Sequence, residues 1–209
     1  MALALLDLIY HDDFLLVVNK PAGLLSVPGR GVDKQDCLSV RVQQLFSNAQ
    51  TVHRLDMATS GLMVFARGAE MQRALSALFR DRKVEKRYVA IVTGQFTSSN
   101  GEINLPLTAD WPNRSLQKVD HQLGKPSLTH YASLGYDESN HCSRVLLTPV
   151  TGRTHQLRLH MASIGHTILG DALYGDAASA PSLRLHASSL NFIHPINHEA
   201  LNFISEPLF

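Results

Sequence analysis

His53-Arg54-Leu55-Asp56-Met57-Ala58-Thr59-Ser60-Gly61 runs without a break into Leu62-Met63-Val64-Phe65-Ala66. The first part mixes an acid, hydroxyls and glycine, the material of a turn or helix cap. The second is an apolar run of strand length. On either side the spacing becomes helical, with Leu38, Val42, Leu45 and Phe46 before it and Met71, Leu75, Leu78 and Phe79 after it. Two amphipathic helices therefore bracket a loop and a strand over 62–66. Further out, residues 14–19 (Phe-Leu-Leu-Val-Val-Asn) read as a buried strand stopped by Lys20-Pro21-Ala22-Gly23, and Val27-Pro28-Gly29-Arg30-Gly31 extends that loop. Residues 88–93, 128–134, 144–150 and 185–193 read as strands, and 154–164 as a helix with Leu157, Met161 and Ile164 on one face and Gly165 as its stop. Strands outnumber helices, and few helices separate consecutive strands. The pattern predicts an α+β fold, a mixed and largely antiparallel sheet with flanking helices, rather than a doubly wound parallel one. Residues 110–125 read as a polar connection, and no Pro/Gly/Ser linker divides the chain.

With 44% hydrophobic residues over 209 positions, the chain can bury a sizeable core in one large domain, or one domain with a small lobe. Nothing repeats, and no low-complexity or acidic tract suggests disorder. The N-terminal stretch begins apolar but has no basic start; Asp7 interrupts it and Asp12-Asp13 end it well short of a membrane span. A cytoplasmic protein is expected. Cys37 and Cys142 stand far apart and in no CxxC pair, which gives neither a disulfide framework nor a thiolate zinc site.

A net charge of +1 does not announce a nucleic-acid binder, so the placement of charge carries the information. Seven basic residues lie between Arg67 and Arg87 against Glu70, Asp81 and Glu85, and from Ser143 to Gly170 there is no acid at all while Arg144, Arg153, Arg158, His155, His160 and His166 all occur. A solvated helix face explains the first cluster as well as a partner does. The second is harder to dismiss, because cations without a nearby acid call for an anionic partner. His155 and His160 are five apart rather than four, and Pro195 breaks the regular helix that His194 and His198 would need, so a metal site is not favoured. No GxxxxGK[ST], GxGxxG or GxSxG occurs, which removes the usual sequence support for nucleotide-driven transfer, dinucleotide chemistry and serine hydrolysis.

Taken together and in order, the motifs resemble those of the RluA family of pseudouridine synthases. His53-Arg54-Leu55-Asp56-x-x-Thr59-Ser60-Gly61 resembles the family's signature, and Lys20-Pro21-x-Gly23 with Pro28 its first motif. Lys86-x-Tyr88-x-Ala90 resembles the tyrosine motif, and Arg153-Thr154-His155-Gln156-Leu157-Arg158-x-His160 the basic motif. Gly165-His166-x-Ile168-Leu169-Gly170-Asp171-x-x-Tyr174-Gly175 resembles the element after it. Val27-Pro28-Gly29-Arg30 and Asp110-Trp111-Pro112-Asn113-Arg114 are similar to the dual-specificity branch, which modifies a tRNA anticodon-loop uridine and a 23S rRNA hairpin.

The resemblance implies a pseudouridine synthase fold and a single catalytic domain over residues 1–209, with no N-terminal S4-like RNA-binding domain. It implies an isomerase that needs no cofactor and no metal, a monomer whose partners are tRNA and 23S rRNA, and no membrane association. Asp56, Tyr88 and Arg158 are the implied catalytic residues; Arg54, His53, Arg153, His155 and Lys86 are the implied RNA-binding ones. A carboxylate that acts as nucleophile or base must be ionised, and a charge-assisted pair with Arg158 would hold it so. Arg54 would fill the gap left by a flipped uridine, and Tyr88 would face the flipped base. Lys20 reads as a loop or phosphate residue, Asp171 and Tyr174 as turn chemistry that organises the basic motif. The alternative from another class is a catalytically inactive RNA-binding or ribosome-assembly module.

Overall fold

Leu15, Leu16, Val17 and Val18 are all fully buried, as are Leu62, Met63, Val64 and Ala66. Two continuous apolar runs of this kind make strands covered on both faces, and the rest of the fold is laid around them. The computed structural model describes residues 6–113 and 115–209; Arg114, which ends the stretch from Asp110, lies outside the described residues. In chain order the elements are β1 (Asp7–His11), β2 (Leu15–Lys20), α1 (Leu38–Leu45), β3 (Ala49–Thr51), β4 (Ser60–Arg67), α2 (Ala69–Arg80), β5 (Glu85–Thr93) and β6 (Asn100–Asn104). There follow β7 (Leu107–Ala109), β8 (Gln117–Val119), β9 (Leu128–Asp137), β10 (Cys142–Pro149), α3 (Gln156–Ser163), β11 (Leu185–Ile193) and β12 (Ala200–Ile204).

The chain forms two compact units: one takes the described residues up to Glu85 together with Ala187–Leu208, the other Lys86–His186 with Phe209. Their boundaries fall inside β5 and β11 rather than in a linker, so no shift in composition marks them. In the first unit the strand order is β1-β2-β4-β11, with β12 on β11 and β3 on β4. The β1–β2, β2–β4, β3–β4 and β11–β12 ladders are antiparallel. Helix α2 sets Met71 and Leu75 into a core made with Leu15, Val17, Leu62, Val64, Leu190, Phe192 and Phe203. The register places Lys20 opposite Gly61, so the end of β2 meets the start of β4.

The second unit is ordered β5-β10-β9-β6, again antiparallel, with β7 and β8 as a separate two-stranded pair. The largely antiparallel α+β architecture agrees with the pattern of the sequence. Residues 110–125, expected as a polar connection, instead contain β8 and the tip of the β7–β8 hairpin. Helix α3 begins at Gln156, two residues later than the spacing suggested, because His155 takes a left-handed backbone at φ +53° and cannot be part of the helix.

Candidate active site

Asp56 sits half-buried in the loop that enters β4, and its two neighbours are tied down from the loop after β2. Ser26 Oγ donates to Leu55 O at 2.7 Å and accepts the Leu55 N–H at 3.1 Å. Met57 O accepts from Lys20 Nζ at 3.0 Å and from the Gly23 N–H at 2.8 Å. The backbone at 55 and 57 is thus fixed on both sides of the carboxylate, and the Thr59 N–H closes the turn on Asp56 O at 3.1 Å. Gly23 makes its contact with φ +85°, a conformation that suits glycine.

Lys20 departs from its reading as a loop or phosphate residue. It is 1% exposed, and its ammonium donates to Pro21 O, Leu24 O and Met57 O at 2.9, 2.7 and 3.0 Å. Three donors meet three carbonyls, the full complement of a lysine. Burial pushes the group down to about 8, while the negative charge of Asp56 pulls it back up. Lys20 is therefore a cation built in beneath the Asp56 loop.

Around Asp56 the side chains alternate. Arg54 is exposed and Leu55 buried. His53 accepts the Val64 N–H at Nε2, 3.0 Å away, and stacks on Phe79 of α2 with centroids 4.4 Å apart. Its ring fastens the loop to strand and helix. At Gly61, φ is +113° and an added Cβ would lie 2.4 Å from both N and O of Ala187, so β11 can approach β4 here only because the side chain is missing.

In the second unit the expectation that no acid neutralises the basic motif is corrected. Arg158 makes a fork with Asp171, Nε to Oδ2 at 2.8 Å and Nη2 to Oδ1 at 2.6 Å, and both residues are buried. The acid stands thirteen residues further on and is brought back by the turn 171–174. Burial alone would raise the Asp171 carboxyl. The Arg158 fork and the N–H groups of Leu173 and Tyr174 outweigh that and hold it below the usual carboxylate range. His160 is also removed from the cationic cluster. It is fully buried between Thr129 Oγ1 and Leu105 O, and burial lowers its pKa, so it stays neutral. Arg144 donates to the main-chain oxygen of Phe209 at 2.7 Å.

The exposed part of the motif rests on a polar frame. Buried Gln156 accepts from Thr151 Oγ1 and the Arg153 N–H and donates to Leu128 O and Thr129 Oγ1. Above it Arg153 is exposed, and His155 holds φ +53°, an uncommon left-handed backbone for a residue with a side chain. His155 Nδ1 lies 2.9 Å from Tyr174 Oη, which accepts the Gln117 N–H of β8 at 2.8 Å. Lys86 Nζ lies 3.9 Å from where a Cβ on Gly152 would stand, beside the start of the motif. Tyr88 is half-buried on β5, opposite Leu147 of β10.

Of the residues expected at the site, Asp56, Arg54 and His53 lie in the first unit and Lys86, Tyr88, Arg153, His155 and Arg158 in the second. Lys20, Ser26 and Asp171 are the supports that sequence reasoning missed or left as turn residues. Among the described residues, no group of three or more His, Cys, Asp or Glu is gathered as a metal site would require, and no helix is long and apolar enough to cross a membrane. His194 Nδ1 accepts the N–H groups of Ile196 and Asn197 and so organises a turn.

Residues 14–163 match the family model described as RNA pseudouridylate synthase. The chain belongs to the RNA pseudouridylate synthase family. It is 47% identical over 207 residues, 98% of this chain and 94% of the relative, to the dual-specificity RNA pseudouridine synthase RluA of Pasteurella multocida (strain Pm70). It is 47% identical over 201 residues, 95% of this chain and 91% of the relative, to the protein of the same name in Escherichia coli (strain K12). Among solved structures it resembles human RNA pseudouridylate synthase domain containing 1, with a TM-score of 0.81 at 27% identity, covering 99% of this chain and 85% of that one. Human RNA pseudouridylate synthase domain containing 4 gives a TM-score of 0.75 at 26% identity, covering 95% and 87%.

Proposed function

We propose that the protein isomerises uridine to pseudouridine with dual specificity, acting on a tRNA anticodon loop and on a 23S rRNA hairpin, as a cytoplasmic monomer that needs no cofactor. The observation that carries the reading is Asp56, a carboxylate whose neighbours on both sides are clamped through their main chains by Lys20, Gly23 and Ser26. Such preorganisation suits a group that must meet a reacting atom within tenths of an ångström. The breadth of substrate rests on the likeness to relatives named as dual-specificity enzymes over nearly the whole chain.

The reaction breaks the N1–C1′ bond and forms a C5–C1′ bond. C5 loses a proton and N1 gains one, so no oxidant, reductant or energy source enters. Asp56 supplies the carboxylate, by attack at C1′, addition at C6 or removal of the 2′ proton, three routes that share the same group. Reaching the base requires flipping it out of the stack, at a few kcal/mol. Arg54, exposed beside the clamped Leu55, takes the vacated space, and His53 serves by holding that loop on Val64 and Phe79. Tyr88 faces the flipped base and handles a proton. Lys86, Arg153 and His155 bind the RNA backbone. Arg158, oriented by its fork on Asp171, is the proposed basic catalytic residue.

Tritium release from C5-labelled uridine in an anticodon stem-loop tests the proposal. Asp56→Asn should release essentially none while binding the RNA within about tenfold of wild type, since few phosphate contacts are lost. Robust release by that variant would take the carboxylate out of the mechanism.

A further inference from the structure

Trp111 is the chain's only tryptophan, and it is 75% exposed. A side chain of that size is ordinarily well covered, and its exposure calls for a partner. Its backbone is not loose. The tip of the β7–β8 hairpin is closed by the Asp110 N–H on Leu116 O at 3.0 Å and the Asn113 N–H on Asp110 O at 3.1 Å, with Asn113 Nδ2 on Asp110 Oδ2 at 2.9 Å. At the other end, Leu107 exchanges both main-chain hydrogen bonds with Lys125, at 3.0 and 2.8 Å, and is itself buried. The hairpin carries an indole at its tip.

The arm is seated on the basic motif. β8 packs against α3, and its Gln117 N–H bonds Tyr174 Oη, which reaches His155. The tip end of its ladder, where Gln117 pairs with Ala109, is therefore joined to the segment that exposes Arg153 and carries no acid from Ser143 to Gly170. A polyanion laid on that segment would meet the tip of the arm. Of the common polyanions, an RNA loop also offers splayed, unstacked bases, and an exposed indole takes one by stacking without reading its identity.

We propose that Trp111 is a stacking platform for an unpaired base of the substrate RNA, outside the reacting uridine. This rests on the RNA substrate proposed above. Sequence-tolerant stacking is suited to an enzyme that accepts two unlike RNAs, because every base presents a π-face while few share a hydrogen-bonding edge.

Because no other indole is present, Trp111 emission reports its own contact. An anticodon stem-loop added to the intact protein should quench that emission by about half or more at saturation. The same RNA with abasic loop positions should bind with little quenching. Trp111→Ala should weaken stem-loop binding by about 5- to 150-fold, the range of one base stacked on an aromatic ring, and Trp111→Phe should recover most of it. Emission that stays unchanged when filter binding shows saturation, equal quenching by the abasic RNA, or an alanine variant binding within twofold of wild type would each overturn the platform. Tritium release by the wild-type protein separates this from the parent reading. Normal release without quenching removes only the platform, whereas quenching without any release keeps the platform and removes the isomerase.

Discussion

The Asp56 loop and the basic segment before α3 both present exposed polar side chains, but they are held by opposite means. Around Asp56 what is fastened is main chain: the Leu55 carbonyl and N–H before the acid are taken by Ser26, and the Met57 carbonyl after it by Lys20 and Gly23. Around Arg153 and His155 the motif's own side chains are taken up, in a buried arginine fork on Asp171 and a glutamine that holds two side chains and two main-chain groups. The first arrangement fixes where a side chain starts and leaves its chemistry available. The second commits the polar groups themselves: Gln156 and His160 are framework, Arg158 is fixed by its fork, His155 is held on Tyr174, and Arg153 stays exposed.

The framework pair should break most severely. Asp171→Asn removes the charge that faces buried Arg158 in the fork, and should lower the unfolding free energy by about 3–5 kcal/mol. The double change Arg158→Met with Asp171→Leu should return much of that, since two apolar groups of similar size restore the packing. Urea unfolding decides it; a single variant within about 1 kcal/mol of wild type would mean that solvent reaches the fork. On the Asp56 side, Gly61→Ala places a methyl 2.4 Å from the Ala187 backbone at φ +113°. Overpacking and backbone strain together should cost about 3 kcal/mol. Retained stability there would show that β11 can withdraw from β4.

Much of this was legible in the sequence where one residue's neighbours are also its physical environment. β2, β4, α1 and α2 follow from apolar runs and spacing, and the Asp56 stretch reads as a loop entering a strand. What escaped depends on distant or half-exposed partners. β1, β6 and β12 are edge-like strands with alternating exposed and partly buried residues, so they show no buried run. Asp171 was read as turn material because its partner lies thirteen positions earlier, and the basic segment looked unneutralised for the same reason. Lysine is so seldom buried that Lys20 passed for a loop residue. Only the three carbonyls of two loops, two after β2 and one after Asp56, reveal it.

That lysine supplies a pH-dependent test of the main-chain fastening. Its folded pKa is depressed from the ordinary 10.5 to about 8. Between those values the unfolded chain holds a proton that the folded one has released, so the burial penalty is fully present below pH 8 and is relieved as pH rises through the window. Compared with Lys20→Met, wild type should gain stability from pH 8 to about 10.5, by up to about 3 kcal/mol. Tyrosines and cysteines that ionise there are common to both proteins and drop out of the difference. At neutral pH the variant leaves buried carbonyls unpaired and should be less stable by about 1–3 kcal/mol. A gap that does not change with pH would mean that Lys20 is solvated.

The smallest effects should separate the two exposed arginines. Arg54 follows a ring fixed on Val64 and Phe79 and precedes the clamped Leu55, so its side chain starts from a fixed backbone, which suits the proposed role in base flipping. Arg153 stands on the glutamine frame, where a backbone phosphate is the natural partner. Arg153→Ala should weaken all RNA loops by a similar few-fold factor and reduce the salt slope of log K by about 0.7–0.9, the signature of one lost phosphate contact. Arg54→Ala should slow modification of a structured hairpin by more than it slows a substrate whose target uridine is already unstacked, because it acts on the flipping step. Measuring kcat/KM on the two substrates across a salt series distinguishes them, with differences of tenfold or less, under about 1.4 kcal/mol. Equal losses on both substrates, with the same reduction in salt slope, would reduce Arg54 to a phosphate contact like Arg153 and erase the functional difference between the two loops.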